Sequence, residues 1–235
     1  MTEELFREDS YLQSCEATVT AAGEGDIVLD RTVFYPMGGG QPGDTGLLRA
    51  ADGREVAIAN CYKDRDSGDH LHIPAEGAPA LAVGDTVTAE VDWQRRHRLM
   101  RMHTCLHLLC ALVDAPVTGG SVGEARSRLD FDLESSPDKE ALGAELNRLI
   151  AEDHPVSFTW ISDEELDANP DLVRTMSVQP PRGAGKVRVI DVDGVDLQPC
   201  GGTHVKATGE IGRVRVGKIE KKGRMNRRIN VHLEE

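Results

Sequence analysis

Four side chains of metal-ligating type fall into two spaced pairs, His103 with His107 and Cys200 with His204. Imidazoles four residues apart on a helix share one face, one turn apart, as two ligands of a tetrahedral ion must. The second pair lies in Cys200-Gly201-Gly202-Thr203-His204, where two glycines suit a tight loop folding thiolate and imidazole around one ion. Three nitrogens and one sulfur match zinc better than magnesium, calcium or manganese. Taken singly, each pair also reads as packing residues on a helix or as an accidental Cys-x3-His loop. About ninety residues separate the pairs, so the fold has to unite them. Of the nearby thiols, Cys105 points to the far side of the helix. Cys110, three residues after His107, is a rival ligand or a core neighbour, and core is favoured. The chain thus offers one complete ligand set, and one zinc per chain is expected.

Zinc can polarise a carbonyl, anchor a substrate or lower the pKa of bound water towards about 7. Four protein ligands close a tetrahedron, so direct chemistry needs a loose ligand, His204 being the candidate, or an expanded coordination shell. Otherwise the ion only orders its surroundings. No glutamate lies within the histidine pair, which excludes the general base of an HExxH protease.

Charge is unevenly spread. The net charge of −13 argues against a nucleic-acid partner, and residues 1–92 carry 18 acidic against 6 basic side chains. Residues 211–228 reverse this, with eight basic and one acidic, and Arg95, Arg96, Arg98 and Arg101 directly precede the histidine pair. Such asymmetry suggests localised phosphate contacts beside the metal ligands; solvated surface is the alternative. Aromatics are 4% of the chain, so stacking platforms for bases are not expected. No apolar run approaches the roughly 20 residues of a membrane span, and the acidic start is not a signal peptide. Five scattered cysteines indicate a reducing, cytoplasmic setting.

The positioning elements follow from periodicity. Short β-rich runs broken by Gly and Asp fill residues 10 to 92, ending in the alternating Thr86-Val87-Thr88-Ala89-Glu90-Val91-Asp92, and predict a small β-barrel or compact sandwich. Asp92 caps a helix over 93 to 113 with Leu99, His103, Leu106, His107 and Cys110 on one side. Ser136-Pro137 is read as opening a helix to about 151, and Ser162 with Glu165 as a capping box. Residues 186–192 read as a strand leading to Cys200, and 211–219 with 227–233 as a hairpin turning near 221–224. The expectation is an α+β chain with a β-barrel domain over 1–92 and an α+β zinc-binding domain over 93–235.

Phe34-Tyr35-Pro36-Met37-Gly38-Gly39-Gly40-Gln41-Pro42-Gly43-Asp44-Thr45-Gly46 satisfies GxGxxG formally, but Pro42 and Asp44 stand where a helix should start, so no dinucleotide or other organic cofactor is expected. Either these glycines make a turn in the β-domain, or their backbone lies against a ligand with Gln41 as donor and acceptor. This segment, the histidine helix and Cys-Gly-Gly-Thr-His, in that order, resemble the alanyl-tRNA editing family, which comprises the editing domain of alanyl-tRNA synthetase and its free-standing AlaX-type relatives. The likeness runs from about residue 15 to 233, including Ser127-Arg128-Leu129-Asp130-Phe131-Asp132 and Lys218-Ile219-Glu220-Lys221-Lys222-Gly223-Arg224.

The resemblance implies a zinc-dependent deacylase clearing mischarged tRNA(Ala), chiefly seryl-tRNA(Ala), with glycyl-tRNA(Ala) as a second candidate. It implies a β-barrel followed by the domain shared by threonyl- and alanyl-tRNA synthetases, and the chain's length suggests the middle-sized, free-standing form. Gly38, Gly39, Gly40, Gln41, Thr45 and Ser127 become the substrate candidates, Ser121 an additional hydroxyl, and Gln41 the catalytic one. Arg95, Arg98, Arg101, Lys221, Lys222 and Arg224 become the tRNA candidates. Two other classes remain open: an RNA-binding module with a structural zinc, and a zinc hydrolase for another small ester or amide.

Overall fold

In the computed structural model, residues 2–23, 25–64, 66–175 and 185–234 are described. Contacts separate the chain into two compact units, Met1–His97 and Arg98–Glu235.

The first unit contains β1 (Glu3–Glu4), β2 (Ser14–Ala22), β3 (Ile27–Leu29), β4 (Arg31–Thr32), β5 (Gly46–Ala50), β6 (Glu55–Lys63), β7 (His70–Pro74) and β8 (Thr86–Val91). Six strands close into an antiparallel barrel in the order β2-β3-β7-β6-β5-β8, while β1 and β4 form a short parallel ladder. Period-two alternation drives this closure. β8 buries Val87, Ala89 and Val91 and exposes the residues between, and the inward side chains meet Val19, Leu29, Leu48 and Val56 in one core.

The glycine-rich segment joins β4 to β5. Gly39 and Gly40 take φ of +56° and +81°, two successive left-handed residues that suit a primed hairpin turn and that glycine adopts without strain. Gly38 and Gln41 close this turn with paired backbone hydrogen bonds of 3.1 and 2.9 Å. Gly43 answers a different demand, since a Cβ there would stand 2.3 Å from the Cys61 carbonyl oxygen. Asp44, also in this segment, is buried against Arg96, whose Nε lies 3.0 and 2.8 Å from its two carboxylate oxygens. Arg96 further donates to the carbonyls of Ser10 and Val33 at 3.1 and 2.7 Å. Arg96, read from sequence as a phosphate contact, is therefore a fully buried structural cation.

The chain continues through α1 (Trp93–Leu112), β9 (Val117–Ser121), β10 (Arg126–Asp132), α2 (Lys139–Ala151), β11 (Val156–Ile161), α3 (Asp163–Ala168), β12 (Val187–Val192), β13 (Asp196–Pro199), β14 (Val214–Gly223) and β15 (Asn226–Leu233). Asp92 starts α1, its Oδ1 accepting the Arg95 amide at 3.1 Å. From Met102 to Cys110 every residue of α1 is buried, so this is a core helix and not one with a solvated back. The second unit has two antiparallel sheets, β14-β15-β10-β9 and β11-β12-β13. The capping box of Ser162 with Glu165 opens α3.

Two boundaries differ from the sequence reading. α2 is capped by Asp138, whose carboxylate accepts the Ala141 amide at 2.7 Å, and not by Ser136. Pro137 biases Ser136 towards extended backbone, and a carboxylate answers the helix dipole better than a hydroxyl. In the final hairpin the first strand begins at Val214, because Thr208–Ile211 forms a 3-10 turn ended by Gly212 at φ +70°. Arg224 and Met225 alone make the hairpin turn.

Candidate metal centre

α1 presents His103 and His107 one turn apart, and the loop after β13 carries Cys200 and His204. The fold brings one ligand atom from each of the four within 4.8 Å of the others. The three histidines are buried and Cys200 is nearly so. Cys200 Sγ lies 3.5 Å from His103 Nε2 and 3.3 Å from His204 Nε2, and receives the Gly202 amide at 3.4 Å.

Outer partners orient two of the rings. His107 Nδ1 is 2.8 Å from Asp196 Oδ2, which also accepts from Gln198 Nε2 at 2.7 Å. His204 Nδ1 is 3.2 Å from Thr104 Oγ1, and that hydroxyl also accepts the Val205 amide at 3.3 Å. In both rings Nε2 is left as the ligating nitrogen, with the other nitrogen held by an oxygen, the arrangement found around protein-bound zinc. His204, the candidate should one ligand be loose, is buried and has its outer nitrogen beside the Thr104 hydroxyl. Cys110 stands outside the cluster as a buried core thiol.

The electrostatics suit a cation. Burial alone would raise the Cys200 thiol, but the neighbouring His103 and His204 rings outweigh it and hold it well below its ordinary value. Burial pushes His204 well down, towards neutral imidazole. Burial also opposes charging of His107, yet its hydrogen bonds to Asp196 and Cys200 raise it to about 10. A thiol held low beside buried imidazoles favours thiolate, the form that ligates a divalent ion. The donor set therefore fits zinc chemically.

Asp196, Gln198 and Thr104 were not singled out from sequence. Asp196 and Gln198 are both buried on β13 while Leu197 between them is exposed. Strand alternation carried to Cys200 would have put all three on one face.

The other candidates are placed as follows. Gln41 is fully buried, Gly38 and Thr45 are half-buried, and Gly39 and Gly40 are exposed. Ser127 on β10 is buried, its hydroxyl donating to the Gly123 carbonyl at 3.3 Å and accepting the Gly123 amide at 3.0 Å. Ser121 is exposed on β9. Arg98, Lys221, Lys222 and Arg224 are exposed, with Lys222 paired to Glu220 at 2.7 Å. Arg95 and Arg101 are half-buried and donate to the carbonyls of Gly43 and Ile211 at 2.9 and 2.8 Å.

Two members of the basic run are structural. Arg227 is buried and donates to carbonyls at Gly223, Arg224 and Asn226. Arg228 forms a two-pronged pair with Asp130, 2.8 Å at each oxygen. Aromatic side chains are scarce but not all hidden, since Tyr62 and Trp160 are 39% and 36% exposed. No helix among the described residues is long and apolar enough to cross a membrane.

Comparison with known proteins adds two matches to families. Residues 187–230 match the family described as threonyl and alanyl tRNA synthetase second additional domain, and residues 6–95 match class II (A) tRNA synthetases. An alanyl-tRNA editing protein AlaX-M of Methanosarcina mazei is 40% identical, over 99% of this chain and 97% of that protein. An AlaX-L protein of Pyrococcus horikoshii is 32% identical over 95% of this chain and 56% of its own length. An alanine–tRNA ligase of Pyrobaculum neutrophilum is 36% identical over 94% of this chain, which matches 25% of the ligase.

Proposed function

The chain belongs to the alanyl-tRNA editing family, and on that premise we propose that it hydrolyses, in trans, the ester joining a wrong amino acid to tRNA(Ala), chiefly serine. The observation that carries this reading is the convergence of His103, His107, Cys200 and His204 in a buried cluster fit for zinc. A zinc ion held there would supply Lewis acidity towards the ester carbonyl and a fixed positive charge. The protein's own groups have the tasks of binding, orientation and discrimination. Asp196 and Thr104 hold the His107 and His204 rings in register.

A seryl ester differs from an alanyl ester by one hydroxyl, so discrimination requires a hydrogen bond to that hydroxyl and not mere space for it. Gln41 is the residue proposed for this contact, because its amide both donates and accepts and it matches the family motif. Gln41→Ala should lower seryl-tRNA(Ala) deacylation roughly 10²–10³-fold if the lost contact resembles an oxyanion-hole donor. Metal content should be little changed. Loss of rate on seryl and alanyl esters alike, with selectivity kept, would assign Gln41 to the ester and not to the seryl hydroxyl. Wild-type rate and selectivity would return the segment to a barrel turn.

Exposed Arg98, Lys221, Lys222 and Arg224 are proposed to meet tRNA phosphates, as are Arg95 and Arg101. Reversing the charge of Lys221, Lys222 and Arg224 together should weaken tRNA binding and flatten its dependence on salt, with metal content unchanged. Binding that ignores both the substitutions and added salt would make these residues solvated surface. The reaction itself is tested by assaying seryl-, glycyl- and alanyl-tRNA(Ala) with the purified chain, with and without chelator. Release of serine and sparing of alanine is the expected outcome. No release from any of the three would overturn the reading.

A further inference from the structure

The barrel holds a second cluster of ligating side chains, Cys61, His70 and His72, all buried, with one ligand atom from each within 4.8 Å of the others. Strand geometry explains the convergence. Cys61 of β6 pairs directly across from His72 of β7, and His70 lies two residues along the same strand. Alternation therefore turns all three side chains to one face of the ladder.

Their states differ. His72 is satisfied, with Nδ1 3.1 Å from the Ile27 carbonyl and Nε2 2.8 Å from the Thr32 hydroxyl. His70 is 1% exposed, yet neither of its ring nitrogens has a hydrogen-bond partner among the described residues. Buried ring nitrogens without a hydrogen bond lose their hydration with no return. Glu4 Oε1 lies 3.6 Å from His70 Nδ1, but its carboxylate is engaged by Arg7 at 2.5 Å and by Lys63 at 3.1 Å and stands outside the cluster.

We propose that Cys61, His70 and His72 form a second divalent-metal site inside the barrel, selective for zinc-like ions. One sulfur and two nitrogens make a three-ligand set of the type zinc accepts with a non-protein fourth ligand. The Ile27 carbonyl holds the proton on His72 Nδ1, which leaves Nε2 to ligate once the Thr32 hydroxyl is displaced. The His70 and His72 rings now stack at 4.9 Å and 20°, and a ligating lone pair lies in its ring plane. One ring must therefore turn to share an ion. His70, which has no hydrogen bond to break, is the one that turns.

Binding forms the metal–sulfur bond as the Cys61 thiol proton leaves to solvent, so affinity rises with pH. The ion would tie β6 to β7. The site is independent of the editing reaction, and the reading from sequence missed it because its ligands are dispersed over the barrel with no motif spacing.

The test counts metal in the full chain after stripping and reloading with zinc. Two ions per chain are expected in the wild type, and one in Cys61→Ser or in His70→Ala. The double variant Cys200→Ser/His204→Ala, loaded with cobalt, should keep one ion and a thiolate charge-transfer band that a further Cys61→Ser removes. A buried water at His70 would satisfy the ring but give no such band. A wild-type count of one, or a folded double variant with no cobalt band, would overturn the proposal.

Discussion

Replacing His103 or Cys200 by alanine is expected to empty the centre on α1 and the loop after β13, and to take seryl-tRNA(Ala) deacylation down with it. The reason is geometric: the four ligand atoms come from two distant stretches and converge within 4.8 Å, so deleting one leaves an incomplete tetrahedron. Losing only an outer partner of a metal ligand typically costs 10–100-fold in affinity, so loss of a ligand itself should cost more than about 100-fold. Asp196→Ala, which removes the carboxylate 2.8 Å from His107 Nδ1, should fall in that lower range. Metal analysis on the dialysed proteins, paired with single-turnover deacylation, reads both effects. Full activity in a verified metal-free preparation would eliminate a catalytic ion. Activity lost in step with thermal stability would make the ion an organiser of the site.

Arg96→Ala is expected to destabilise the barrel unit by about 3–5 kcal/mol, the cost of leaving a buried carboxylate without its cation. Asp44 is 1% exposed and Arg96 0%, and Arg96 also serves the Ser10 and Val33 carbonyls. Arg96→Met combined with Asp44→Asn should recover part of the loss, because no unpaired charge then remains inside. Urea denaturation of the two variants beside the wild type measures this. A cost below about 1 kcal/mol for Arg96→Ala would mean that water reaches Asp44, contrary to its burial. The glycine-rich segment thus has a structural duty besides any role in catalysis, since Asp44 also accepts the Tyr35 amide at 2.6 Å and fixes the path of the loop.

Much of the molecule was legible in the residues alone, where the signal is local. Strict alternation over 86–91 is a strand with one buried face whatever surrounds it, and Asp92 followed by a long run without glycine or proline is a capped helix. The histidine spacing placed two imidazoles on one side of that helix, and the short glycine-containing loop put Cys200 next to His204. The order of these motifs was enough to recognise the family.

Only the tertiary structure could decide which of several like side chains meet. Arg95, Arg96, Arg98 and Arg101 look equivalent in sequence. Yet Arg96 is inside, Arg95 and Arg101 bind carbonyls, and Arg98 is exposed, because a helix turns each residue by a fixed angle towards neighbours that local sequence does not name. Arg227 and Arg228 left the basic surface for the same reason. Asp196 became a partner of His107 across 89 residues, and Cys61, His70 and His72 met across a barrel ladder. Periodicity assigns a side chain to a face. What lies opposite that face is set by strand register and packing between distant segments, and those are properties of the closed fold.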